Sequence, residues 1–291
     1  MTAPTALIRT AALTALSMVA FAANSLLCRL ALHTPSAIDP TSFASLRIAS
    51  GAIVLALILR LKSGPAARTR PDWFAAVALF AYAALFSFAY QLLSAATGAL
   101  VLFGAVQLTM LGAGLRAGER FVPLGWFGFA LAVGGLVYLV SPGLTAPPAA
   151  GTVLMIGAGI AWGVYSLRGR GTNDPLAATA GNFLRATPLA LLASVLLIGQ
   201  FHADMRGVAL ALASGAITSG MGYVIWYAAL RGLSALRAAT VQLSVPPIAA
   251  LGGVVLLSES ITLRLVVASI ATLGGIALVL ASRGAKPQRG V

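Results

Sequence analysis

The chain has 291 residues, 59% of them hydrophobic and only 9% charged, with a mean hydropathy of +0.96; a soluble domain carries about 25% charge, so a water-exposed globule is excluded. The net charge of +13 would suit a nucleic-acid partner, but the basic residues lie between apolar runs rather than along a stripe, so no nucleic acid is expected and the charge reads as membrane topology. The single cysteine, Cys28, excludes an intrachain disulfide framework and a cysteine-based metal cluster, and no motif calls for a cofactor.

Ten apolar segments follow in chain order, approximately 10–31, 41–61, 72–91, 94–115, 122–141, 150–167, 176–199, 207–229, 235–256 and 262–282. Each approaches the length of about 20 residues that crosses a hydrocarbon core of ~30 Å as a helix. The first segment follows Arg9, is too long for a signal-peptide core and reads as an uncleaved first helix. Segments three and four part only within Gln91–Thr97. Segment nine carries Pro246-Pro247, which predicts a kink or a local break and offers a hinge or gate.

The loops test this arrangement. With the N-terminus in the cytoplasm, Arg9, Arg60, Lys62, Arg68, Arg70, Arg116, Arg120, Arg168, Arg170, Arg231, Arg283, Lys286 and Arg289 fall inside. Only Arg29, Arg206 and Arg264 fall outside, and Arg47, Arg185 and Arg237 lie within or beside spans. This positive-inside bias predicts an even number of spans with both termini cytoplasmic.

The two halves also repeat. At an offset of 140, Leu93-Ser94-Ala95 lands on Leu233-Ser234-Ala235, Glu119 on Glu259, and Gly134-Gly135 on Gly274-Gly275. With small slips, Phe21-Ala22 answers Trp162-Gly163, Asp39-Pro40 answers Asp174-Pro175, and Leu46-Arg47 answers Leu184-Arg185. The breaker-rich linker Ser141–Pro148 divides a first repeat, 1–143, from a second, 150–291. Five spans per half is an odd number, so the repeats insert with opposite orientation, as in many secondary transporters. The fold class expected is therefore an all-α integral membrane protein of ten transmembrane helices in two inverted five-helix repeats.

Polar and aromatic groups within spans are the candidates for a solute path. Asn24 in span one is one such group. Gln107 in span four and Gln242 and Ser244 in span nine offer hydrogen bonds to a zwitterion, or else to a neighbouring helix. Tyr82, Phe86 and Tyr90 share one face of span three. Trp162 and Tyr165 lie on span six, and Tyr223, Trp226 and Tyr227 on span eight, where they line a cavity or serve as packing and interfacial residues. Gly159-x-x-x-Gly163 and Gly114-x-x-x-Gly118 read as helix-packing motifs. Arg47 and Arg185 read as structural residues that snorkel, cap carbonyls or brace a neighbour, with carboxylate binding as the sharper alternative. Glu119 and Glu259 read as structural, pairing with Arg120 or Arg264. No acidic residue sits mid-span, which argues against a membrane-embedded carboxylate relay and for facilitated export. No catalytic cluster or metal motif supports a membrane enzyme.

The stretch Tyr223–Leu230 with Leu233-Ser234-Ala235, Pro246 and Glu259 resembles the second repeat of EamA-type transporters of the drug/metabolite transporter superfamily. The first half is similar in Leu93-Ser94-Ala95 and Gly118-Glu119 but holds Val106 where the second has Pro246. Within the family the chain is most similar to YddG-type exporters of aromatic and other amino acids. The resemblance implies a multi-pass protein of the bacterial inner membrane exporting small organic metabolites, amino acids among them, through a cavity between the repeats. A broad exporter of drugs or organic cations is the alternative. Oligomeric state is left open, and a monomer is compatible with everything in the sequence.

Overall fold

The computed structural model describes residues 3–34, 37–62, 72–116, 122–141, 143, 146–169, 174–230 and 241–284. These form helices α1 (Ala3–Leu32), α2 (Pro40–Leu61), α3 (Trp73–Leu92), α4 (Ala95–Arg116), α5 (Pro123–Val140), α6 (Ala149–Gly169) and α7 (Pro175–Leu196). There follow α8 (Met205–Ala213), a π-helical stretch (Ser214–Met221), α9 (Gly222–Leu230), α10 (Val245–Leu257) and α11 (Leu263–Gly284). Among the described residues eight helical runs are long and apolar enough to cross a membrane. The eighth-span region, Met205–Trp226, is one of these, its π stretch included. The 22-residue α7 falls outside that set, and α10 is an apolar helix of 13 residues.

Four helices start on aspartate. Asp39, Asp72, Asp174 and Asp204 each accept a hydrogen bond from the backbone N–H three residues on, at 2.9, 2.9, 3.1 and 2.6 Å. This satisfies one of the orphan donors of a first turn. Asp39 and Asp174 precede a proline, which fits where no N–H partner exists. Burial pushes the Asp39 carboxyl up, but hydrogen bonds from the Ser42 and His202 N–H groups outweigh it and hold the group below the usual carboxylate value. Asp72 is also lowered; slight burial opposes, and the Arg168 side chain and the Ala75 N–H prevail. The loop before α2 lies beside the loop before α8, where Ile38 and Ala203 form an isolated antiparallel bridge.

Pro246 and Pro247 sit in the first turn of α10, after a turn at Leu243 and Ser244. The segment is thus broken rather than kinked, because a proline's missing donor is costless at a helix start. Glu259 does not pair with Arg264. It follows the left-handed Ser258 (φ 53°) and its Oε1 meets Arg29 Nε at 3.1 Å, while Oε2 accepts the Ala95 N–H at 2.8 Å. Arg264 instead donates to the carbonyls of Leu139 and Ser141, because the end of α5 leaves carbonyls without intrahelical partners. Glu119 and Arg120, the other proposed pair, lie outside the described residues, as do Gly118 and the Leu233-Ser234-Ala235 motif. In the twin motif Ser94 acts as a cap, its Oγ accepting the Thr97 N–H at 3.2 Å.

The interfaces come in matching sets when the halves are exchanged. α3 packs on α6 as α9 packs on α1, α4 on α6 as α10 on α1, and α3 on α7 as the π stretch on α2. α2 with α7 and α5 with α11 close the arrangement. A Cβ at Gly128 would lie 2.6 Å from the Gly275 carbonyl, and one at Gly275 would lie 2.5 Å from that of Gly128, so α5 and α11 touch backbone to backbone. Gly159 and Gly163 likewise admit α4, where added Cβ atoms would meet Ala105 at 2.6 Å and Thr109 at 2.9 Å. Large apolar side chains such as Phe127, Leu196, Val255 and Leu263 are exposed on the outer faces, a surface suited to lipid and costly in water.

Candidate functional site

A cavity of about 400 Å³, its open mouth included, lies where α1, α2, α3, α4, α6, the π stretch and α9 converge. One wall is aromatic. Trp162 of α6 stacks on Tyr223 of α9 at 5.4 Å and 17°, and Tyr82 of α3 leans on Trp162 at 4.8 Å. Phe86 continues from Tyr82 at 5.2 Å, and Phe21 of α1 sets its edge on Tyr223 at 6.1 Å. Leu102 and Phe103 of α4 complete the apolar lining.

The other wall is polar. Asn24 Oδ1 accepts from Ser214 Oγ at 2.7 Å and Thr218 Oγ1 at 3.2 Å, and its Nδ2 faces the Tyr82 hydroxyl at 3.5 Å. Arg47, only 3% exposed, donates from Nε to Ser219 Oγ at 3.2 Å and from Nη2 to the Tyr82 oxygen at 3.0 Å. Its guanidinium carbon lies 5.0 Å from the Tyr82 ring centroid and 4.9 Å from that of Phe86. Its Nη1 is buried without a hydrogen-bond partner. None of the ion pairs among the described residues involves Arg47.

Local backbone explains this polar cluster. Ser214–Met221 winds as a π-helix, a form that recurs at functional sites and changes the angular spacing of side chains. Thr218 and Ser214 reach Asn24, and Ser219 reaches Arg47. Gly215 allows the stretch to lie against α2, since a Cβ there would collide with Ser50 Oγ and the Arg47 carbonyl.

Of the residues singled out in the sequence, Asn24, Tyr82, Phe86, Trp162 and Tyr223 line this cavity. Arg47, read as structural, lines it too; being buried, it neither snorkels nor caps a helix end. Its sequence counterpart Arg185 is half-buried on α7 and outside the lining. Tyr90 is fully buried beyond Phe86, ring edge to ring at 4.7 Å. Tyr165 packs on Trp162 at 5.4 Å, and Trp226 packs on Phe21 at 5.8 Å, both one layer behind the wall. Gln107 is buried on α4 but does not reach the lining. Gln242 and Ser244 sit at the break before α10, Ser244 Oγ donating to the Val241 carbonyl at 2.7 Å. The Tyr227 side chain lies outside the described residues. Sequence reading missed Phe21, Ser25, Leu102, Phe103, Thr218 and Ser219 as lining residues; for Thr218 and Ser219 the run Ser214-Gly215-Ala216-Ile217-Thr218-Ser219-Gly220, small and polar inside an apolar span, was the available signal.

At one end the bundle is tied shut around Glu259. Arg29, bound to it, also donates from Nη1 to the carbonyls of Tyr90 at 2.9 Å and Gln91 at 3.2 Å. The ends of α1, α3, α4 and α10 therefore meet at two side chains, which are 13% and 12% exposed.

Residues 149–281 match the model of the EamA-like transporter family. The chain is 54% identical over 281 residues to the uncharacterized protein PA1977 of Pseudomonas aeruginosa, covering 97% of this chain and 98% of that protein. A crystal structure described only as that of a protein is 22% identical, spans 91% of this chain and 98% of its own, and superposes with a TM-score of 0.65; that is a likeness of fold.

Proposed function

Residues 149–281 match the EamA-like transporter family, and from that premise we propose that this chain exports small organic metabolites by alternating access through the central cavity. Amino acids with aromatic and other neutral side chains are the first solute class, as for the YddG-type exporters that the sequence resembles. The reading includes ten spans in two inverted repeats, 1–143 and 150–291, with both termini in the cytoplasm of a bacterium and the chain in its inner membrane. The paired helix interfaces support the repeat, since exchanging the halves maps one interface onto another. The observation that carries the function is the cavity itself. It lies between both halves and sets a stacked aromatic wall beside a donor-rich polar one. In this reading Gln107, Gln242, Tyr90, Tyr165, Trp226, Tyr227 and Ser244 serve the path in other conformations, and Pro246-Pro247 serves as its hinge.

Proteoliposomes test it. Purified protein is expected to accumulate labelled phenylalanine or leucine above empty vesicles, and imposed proton, Na⁺ and voltage gradients identify the coupling. No accumulation of any amino acid under any gradient refutes the solute class. An exporter of organic cations is the second reading, favoured by the aromatic wall and opposed by the guanidinium in the same cavity.

A further inference from the structure

We infer that Arg47 is the recognition point for a carboxylate, and that the cavity selects amphiphilic carboxylates by that group and not by their amine. The inference rests on the transport reading of the cavity and deepens it.

A guanidinium held inside an apolar bundle demands compensation. Arg47 finds only neutral acceptors, the Ser219 hydroxyl and the Tyr82 phenol. These occupy Nε and Nη2; Nη1 is left buried and unpartnered, on a residue that lines the cavity. The acidic residues among those described are committed elsewhere. Asp39, Asp72, Asp174 and Asp204 cap helices and Glu259 holds Arg29. With no acidic residue among the described residues beside it, the guanidinium takes its counter-charge from a bound solute, and its planar fork matches a carboxylate better than any spherical anion.

The neighbouring polar groups agree. Asn24 spends its acceptor oxygen on Ser214 and Thr218 and keeps a donor, Nδ2, with only a long contact to Tyr82. Among the described lining residues there is no carboxylate. An α-ammonium would meet hydroxyls and ring faces but no carboxylate, so it contributes little to selection. The stacked pair Trp162 and Tyr223 receives the apolar remainder of the solute.

Calorimetry on the full-length protein in detergent micelles tests this with three probes that share one ring: 3-phenylpropionate, L-phenylalanine and 2-phenylethylamine. The two carboxylates are expected to bind with similar affinity, and the amine at least roughly tenfold more weakly, the loss of one charge-assisted contact in a dry site. Arg47→Gln is expected to weaken both carboxylates by at least about tenfold and leave the amine unchanged. Arg47→Lys keeps the charge without the fork and is expected to fall between, which decides the matter should the glutamine variant fail to fold. Arg185→Gln, at the equivalent position of the other repeat, is expected to bind all three like the original chain. Equal binding of amine and acid, full carboxylate affinity in Arg47→Gln or Arg47→Lys, or no carboxylate binding to the unaltered protein would each overturn the inference. Proteoliposome transport of any solute keeps the transport reading standing in those cases, so the two failures are separable.

Discussion

Gly274 and Gly275 are neighbours in α11, yet substituting each with alanine is expected to change stability in opposite directions. At Gly275 a Cβ would lie 2.5 Å from both the Gly128 carbonyl oxygen and the Ala132 nitrogen. Ordinary contact begins near 3.4 Å, so α5 and α11 must separate by about 0.9 Å, backbone against backbone, with no flexible side chain to yield. Overpacking of this kind costs about 1–3 kcal/mol. At Gly274 nothing lies within 4 Å of the added carbon, and alanine gains about 0.5–1 kcal/mol of helix propensity over glycine. The assay is thermal unfolding of the purified protein in one detergent, followed by loss of the monodisperse peak. Gly275→Ala should lower the midpoint and Gly274→Ala should hold or raise it. The first-half pair repeats the experiment: an added Cβ at Gly135 would meet the Thr272 nitrogen at 2.8 Å, and one at Gly134 would meet nothing. Shifts of the same sign and size in both members of a pair would refute the close approach of α5 and α11.

Three further outcomes are expected. Glu259→Gln keeps an acceptor for the Ala95 N–H but removes the charge opposite Arg29; with both side chains near nine-tenths buried, the loss should be about 1–3 kcal/mol, above that of an exposed pair, and an unchanged unfolding midpoint would argue against the tie. Asp39 has its carboxyl held below 3.8, so its contribution to stability is fully present above the unfolded-chain value of about 3.9 and is lost as pH falls through the lower folded value; Asp39→Asn should flatten that part of the acid limb, and an identical limb in both proteins would contradict it. Trp162→Ala removes the face stacked on Tyr223 and should slow uptake of aromatic solutes by about tenfold relative to leucine, the equivalent of ~1.4 kcal/mol; an equal loss for both would mean Trp162 merely holds the cavity open.

Hydropathy and charge delimit most of the helices, because the bilayer asks the same thing of every residue along a span. The segment limits near Leu61, Leu92, Val140 and Leu257 match helix ends to within a few residues. Breakers do the same locally: aspartate before a helix caps it, and proline beside it begins it, as Asp39-Pro40 and Asp174-Pro175 do. Which face of a span turns inward is a different matter. Lipid and core are both apolar, so a helix apolar on all sides carries no stripe to mark its buried face. Tyr82, Phe86 and Tyr90 share one face, but only the first two reach the cavity, because Tyr90 lies where α3 closes against the start of α4.

Arg47 and Arg185 show the limit most directly. The sequence match sets Leu46-Arg47 against Leu184-Arg185, one pair on α2 and the other on α7. The fold separates them: Arg47 meets a π-helical stretch with Ser219 and a phenol from α3, while Arg185 stays outside the cavity. Helix lengths and helix starts follow from the order of residues, since these depend on neighbours along the chain. The cavity, the partner of Glu259 and the unpaired nitrogen of Arg47 depend on residues distant along the chain, such as Arg29 and Glu259 or Arg47 and Ser219, and only packing brings those together.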